Sequence, residues 1–234
     1  MIQLIGLIAI SWFILKFFAK DNLAVLGFIP TRKRVVFFLI LFLGSAFFSA
    51  TTFLLKMYFT KEEYIISELL TFENFCFEVW NQIRSVLTEE LICRGALLYI
   101  LIKKIGTQQG IIISSIFFAV LHWLNQGVWG DLMQMMLVFA FTFSMGLLLA
   151  YSYAKTYSLL IPFAIHLGWN LTQNYIFPDS AMGNHIFVLA KNPPTVTISY
   201  LAFFTMILFP KIAVILFNYW VVKKYPTVEL NDQG

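Results

Sequence analysis

Seven runs of mainly apolar residues, each about the length that crosses a bilayer, divide the chain at approximately residues 2–19, 35–55, 77–102, 108–124, 132–154, 158–177 and 197–222. A transmembrane helix needs about 20 such residues because a rise of ~1.5 Å each must cover ~30 Å of hydrocarbon. Inside lipid every backbone polar group must be paired within the chain, which leaves helices and closed barrels as the spanning forms. The expected fold is therefore all-α, a polytopic membrane helix bundle of about seven transmembrane helices forming a single integral domain over residues 1–234. Pro210 and Lys211 fall in the middle of the last run and leave open a kink or a division there.

Composition agrees. Of the 234 residues 60% are hydrophobic and 12% charged, against roughly a quarter charged in soluble domains. The chain is apolar from Met1 without a basic leader or a small-residue cleavage site, so its first run reads as a retained span. Cys76 and Cys93 are too few for a disulfide framework and are expected to be small buried hydrophobes. The net charge of +4 comes from basic residues in short loops, where membrane topology explains them, and implies no nucleic acid. Lys16, Lys20, Arg32, Lys33, Arg34, Lys103, Lys104, Lys155, Lys223 and Lys224 fall in alternate connections, whereas the others hold only Lys56, Lys61 and Lys191. That asymmetry places the amino terminus outside and the carboxyl terminus in the cytoplasm. Glu63, Glu68, Glu73 and Glu78 recur every five residues. At ~100° per helical residue they share no face, and a solvated or interfacial acidic helix is expected.

Three spans carry polar groups that an apolar helix does not need. The stretch SVLTEELICRGALLYILIKK, residues 85–104, holds Glu89, Glu90 and Arg94, and each charge near the bilayer centre costs at least ~2.5 to 3.5 kcal/mol on insertion scales. Glu90 and Arg94 stand four apart and can pair on one helix face. Glu89 lies ~100° away and must look towards a cavity, water or another helix, while Gly95 leaves room for a neighbouring helix to approach. The fourth span reads SSIFFAVLHWLNQG, with His122 one turn after Phe118. The sixth reads SLLIPFAIHLGWNLTQNYIF, with His166 and Asn170 four apart on one face, where each must find a hydrogen bond. A structural clasp between helices is the bland alternative for that pair, and His185 reads as a surface residue. Counted from the cytoplasmic ends of their spans, Glu89 and His122 lie ~21 Å deep, His166 ~12 Å and Asn170 ~18 Å. These depths permit one common cavity.

Several chemistries fit these residue types. Glu89, His122 and His166 match a His₂Glu zinc set in kind, although the usual HExxH helix is absent. Cys93, four residues after Glu89, is a candidate thiol nucleophile. Buried Glu and His groups also suit a proton or ion relay in a non-enzymatic membrane protein.

The order of the motifs, EExxxR at Glu89-Glu90-Arg94, FxxxH at Phe118-His122 and HxxxN at His166-Asn170, resembles the CAAX protease and bacteriocin-processing family of intramembrane proteases, also called the Abi family. The resemblance covers roughly residues 80–177, the expected catalytic core. It implies peptide-bond hydrolysis within or beside the membrane, with Glu89 as general base and His122 helping to hold the water. His166 and Asn170 would then be the oxyanion donors, and Glu90 with Arg94 would fix the helix and the field around Glu89. The implied substrate is a peptide or membrane protein, such as a prenylated protein or a bacteriocin-like precursor, and the setting a bacterial cytoplasmic membrane. No cofactor is firmly expected. The family is commonly labelled metalloprotease, so a divalent metal such as zinc on Glu89, His122 and His166 is the alternative to a metal-free glutamate mechanism. A bacteriocin immunity factor or small proton-coupled transporter is the non-enzymatic alternative.

Overall fold

Apolar side chains spaced for helix packing dominate, and most of the chain is helical. The computed structural model describes residues 2–125, 127–177, 185–192 and 194–227. In chain order the elements are α1 (Ile2–Ile14), continued by a π-helical turn over Leu15–Ala19, a 3₁₀ turn over Leu23–Leu26, α2 (Arg32–Phe59), β1 (Tyr64–Ile66), α3 (Phe72–Arg94) and α4 (Ala96–Ile105). They continue as α5 (Thr107–Asn125), α6 (Leu132–Thr156), α7 (Leu160–Leu171) with a π-helical turn over Thr172–Ile176, β2 (Phe187–Leu189) and α8 (Tyr200–Lys223). Among the described residues four helices, α2, α5, α6 and α8, are long and apolar enough to cross a membrane by length and composition, and a shorter apolar helix covers Gln3–Ala19.

Three expectations need correction. The third run is not one helix: it stops at Arg94 and restarts at Ala96, with Gly95 between them at φ −72° and ψ −129°. A Cβ on Gly95 would collide with the carbonyl oxygen of Leu91 in its own preceding turn, so the glycine serves the break. The acidic stretch is not a helix throughout either. Residues 64–66 pair antiparallel with 187–189, in the register Tyr64 to Leu189, Ile65 to Val188 and Ile66 to Phe187, and Lys191 meets Glu63 at 3.0 Å. Helix α3 begins only after Thr71, whose Oγ1 accepts from Asn74 N, an N-cap arrangement. Finally, Cys93 is buried but Cys76 is exposed. The question left open at Pro210 resolves as a continuous α8.

The chain divides into two compact units, described in turn. The first comprises residues 1–38, 87–163 and 219–234. Its core gathers Leu15, Leu26, Leu98, Tyr153 and Leu159, among others. Gly27, at φ +64°, sits so close to Tyr157 that a Cβ would strike that residue's carbonyl oxygen. There the Tyr153 hydroxyl donates to Val25 O at 3.2 Å and Ser158 Oγ to Gly27 O at 2.7 Å. The amino-terminal segment is tied to α4 by Asp21, whose carboxylate accepts from the Tyr99 hydroxyl and from Lys103 Nζ, both at 2.8 Å. Lys103 also donates to Ala19 O.

The second unit comprises residues 39–86 and 164–218. Gly168 of α7 lies against the backbone of α2, and a Cβ there would collide with Phe42 O. Ser49 Oγ donates to Trp169 O at 3.1 Å, and Gln173 Nε2 reaches Ser49 O and Thr52 Oγ1. The small sheet packs on a ladder of rings, with centroids of Phe53 and Phe177 5.0 Å apart and those of Phe177 and Phe187 4.7 Å apart.

Candidate active site

The last two turns of α3 hold Glu89, Glu90 and Arg94. Glu90 Oε1 and Arg94 Nη1 are 3.0 Å apart with both side chains fully buried, the stacking that a four-residue spacing on a helix produces. The guanidinium carbon lies 4.0 Å from the centre of the Phe118 ring of α5, so part of the desolvated positive charge faces an aromatic π cloud. Among the described residues Arg94 Nε and Nη2 find no acceptor.

Glu89, on the adjoining face of the same turn, approaches α5 instead. Its Oε2 is 3.8 Å from His122 Nε2, with the two side chains 21% and 14% exposed. Both are less buried than the Glu90–Arg94 pair, although Glu89 Oε2 itself is enclosed. His122 is oriented by its own helix: Nδ1 lies 2.8 Å from Phe118 O. A carbonyl only accepts, so Nδ1 carries the hydrogen, and in the neutral ring Nε2 is left as an acceptor towards Glu89. The Phe118 ring braces the imidazole at a centroid distance of 4.3 Å. Beside it, Trp123 Nε1 donates to Met135 O of α6 at 2.9 Å, which anchors the last turn of α5.

The third motif forms its own pair in the second unit. His166 is buried at 3% exposure, and its Nε2 accepts from Asn170 Nδ2 at 3.1 Å, because a carboxamide nitrogen can only donate. The hydrogen of a neutral His166 is therefore on Nδ1. The helix that carries the pair is fixed by the contacts of Gly168 and Trp169 with α2.

Glu89, Glu90, Arg94, Phe118 and His122 thus form one cluster, and His166 with Asn170 another. Cys93 is fully buried and presents no surface to a substrate. His185 is half-buried where the surface was expected. Among the described residues no group of three or more His, Cys, Asp or Glu side chains is gathered closely enough to hold a metal ion. Ser114 was not singled out from the sequence, although it stands four residues before Phe118 and eight before His122 on the same face of α5. Its Oγ donates to Cys93 O at 2.9 Å.

Comparison with curated proteins and with solved structures finds no match for this chain. A family model does match, over residues 72–172, the stretch that runs from the start of α3 to just past Asn170. All three motifs lie inside the matched stretch, and the family it matches is that of Type II CAAX prenyl endopeptidase Rce1-like proteins, which implies a protease at the level of the family.

Proposed function

We propose that this protein is an intramembrane endopeptidase in which Glu89 activates a water molecule for attack on a peptide carbonyl. The observation that carries the reading is the 3.8 Å approach of Glu89 Oε2 to a His122 Nε2 whose ring is held by Phe118 O. An ionised Glu89 and a neutral His122 present two acceptors side by side. One water can donate a hydrogen to each: two hydrogen bonds of ~2.8 Å would meet at its oxygen at about 85°, a little inside the tetrahedral angle. The water's lone pairs are then left for the carbonyl carbon.

In this mechanism the water oxygen bonds to the carbonyl carbon as its proton passes to Glu89, and the carbonyl oxygen takes up negative charge. His166 and Asn170 are assigned to that oxyanion. One N–H of Asn170 is occupied by His166 Nε2, so its second N–H is the donor left for that charge. Collapse of the intermediate breaks the C–N bond, and Glu89 returns the proton to the leaving amine. Glu90 and Arg94 take no part in proton transfer; their buried pair holds the last turn of α3 in place. Every proton in this sequence of steps is carried by Glu89.

The substrate class proposed is a peptide or membrane protein cut near a lipid-modified end, in keeping with the Rce1-like core. The test uses the full chain in detergent with a quenched fluorescent, S-farnesylated CAAX peptide. Glu89→Gln keeps the shape of the side chain but removes the proton acceptor, and is expected to slow cleavage by at least ~10² to 10⁴ with the unfolding transition unchanged. Cleavage by Glu89→Gln at the wild-type rate would remove Glu89 from the mechanism.

A further inference from the structure

Two adjacent serines of α5, both fully buried, spend their hydroxyls differently. Ser115 Oγ donates to Ile111 O of its own helix at 2.6 Å, the usual back-bond of a serine inside a helix. Ser114 Oγ donates to Cys93 O at 2.9 Å, on another helix and just before the break at Gly95. Where a helix stops, its last four carbonyls lose their intrahelical donors, and in an apolar surrounding each needs another partner. Ser114 supplies one at the turn that ends in Arg94.

We propose that Ser114 is a positioning residue that sets the register of α3 against α5, and so the approach of Glu89 to His122. Ser114, Phe118 and His122 lie at successive four-residue steps, and each meets the same end of α3: Ser114 at the Cys93 carbonyl, the Phe118 ring at the Arg94 guanidinium, and His122 at Glu89. The Phe118 contact is a charge over a ring, which is broad in its geometry, whereas the hydroxyl-to-carbonyl bond is directional. Helix α6 closes off movement of α5 in the other direction. A Cβ on Gly146 would stand 3.1 Å from Ser115 Cα and 3.3 Å from Phe118 Cδ1, so the α6 backbone rests directly against α5. Reacting groups have to be held to within ~0.5 Å, and the Ser114 bond is a directional polar contact that fixes the slide of α3 at this seam.

The proposal rests on the reading of Glu89 and His122 given above, so its test does not depend on turnover. The protein has three histidines, and ¹³C labelling of the imidazole Cε1, with assignment by single His→Gln variants, gives one ring signal each. Ser114→Ala is expected to move the His122 signal and leave those of His166 and His185 in place, Ser114→Thr to restore it, and Ser115→Ala to leave all three unchanged. An unmoved His122 signal in Ser114→Ala overturns the proposal. So does an equal movement in Ser115→Ala, or a joint movement of all three signals, since each marks general loosening. If Ser114→Ala fails to fold, Ser114→Cys keeps the volume with a much weaker donor and is read in the same way. If Glu89→Gln still cleaves while His122 responds to Ser114, the peptidase mechanism falls and the registration stands.

Discussion

Replacing Glu90 by Gln removes the carboxylate that faces Arg94 and nothing else of size. Both side chains are fully buried, 3.0 Å apart, and the guanidinium also faces the Phe118 ring at 4.0 Å. A desolvated cation–π contact contributes about 2 kcal/mol and does not neutralise the charge. Removing one partner of a buried pair typically costs ~3 to 5 kcal/mol because the other charge stays buried, which is roughly a 150- to 5,000-fold fall in the folded-to-unfolded ratio. Against a total stability of about 5 to 15 kcal/mol, Glu90→Gln should fold poorly. The double variant Glu90→Gln with Arg94→Met should recover most of the loss, since exchanging a whole buried pair for uncharged groups is often neutral. Equilibrium unfolding in mixed micelles, followed through the six tryptophans, measures the full cycle. A loss below ~1 kcal/mol in Glu90→Gln, or no repair on adding Arg94→Met, would show that the pair does not compensate the arginine.

Three further outcomes follow from other contacts. Gly168→Ala places a Cβ against Phe42 O and 3.0 Å from Ser45 Cβ, so α2 and α7 must separate. A loss of at least ~3 kcal/mol is expected, and wild-type stability in micellar unfolding would refute the close approach. At Asp21, burial acts to raise the pKa, but hydrogen bonds from Lys103 and Tyr99 outweigh it and hold the carboxyl below its ordinary value. A depressed folded pKa gives stability that is present above the unfolded value of ~3.9 and lost as pH falls through the lower folded value. The group is partly exposed, so less than ~1 kcal/mol is at stake, and Asp21→Asn should flatten the acid end of an unfolding series from about pH 6 to about pH 3. Dialysis against a strong chelator should leave peptide cleavage intact, whereas loss with recovery on added zinc would establish a metal mechanism.

Much of the helical framework is legible in local spacing along the chain. The runs expected at 35–55, 108–124 and 132–154 appear as helices over Arg32–Phe59, Thr107–Asn125 and Leu132–Thr156, because a long apolar stretch in a chain of this composition has few other ways to satisfy its backbone. The pairs Glu90 with Arg94, Phe118 with His122 and His166 with Asn170 are also local, one helical turn each, and the contacts occur as spaced. What spacing does not reveal depends on distant partners or on ambiguous residues. A glycine in an apolar run suits both a close helix contact and a break, and it is the position of Leu91 O that shows Gly95 serving a break. Tyr64–Ile66 is too short to show a strand pattern, and its partner lies more than a hundred residues away. The meeting of Glu89 with His122 likewise needs two helices packed together, which spacing along one helix cannot express.

That distant pairing also has a consequence in time. Tyr64 lies opposite Leu189, so the ribosome must add 125 further residues (189 − 64) before the second strand exists, a wait of roughly 6 to 25 s at ordinary rates of synthesis. During that interval Ile65 and Ile66, still 50% and 63% exposed in the finished protein, are an unpaired apolar strand. Any nascent-chain factor or neighbouring edge that binds such a segment has its opportunity then. The hairpin-like clasp between the segment before α3 and the one before α8 is thus a late event of biogenesis, closing only when α3 through α7 have already been made.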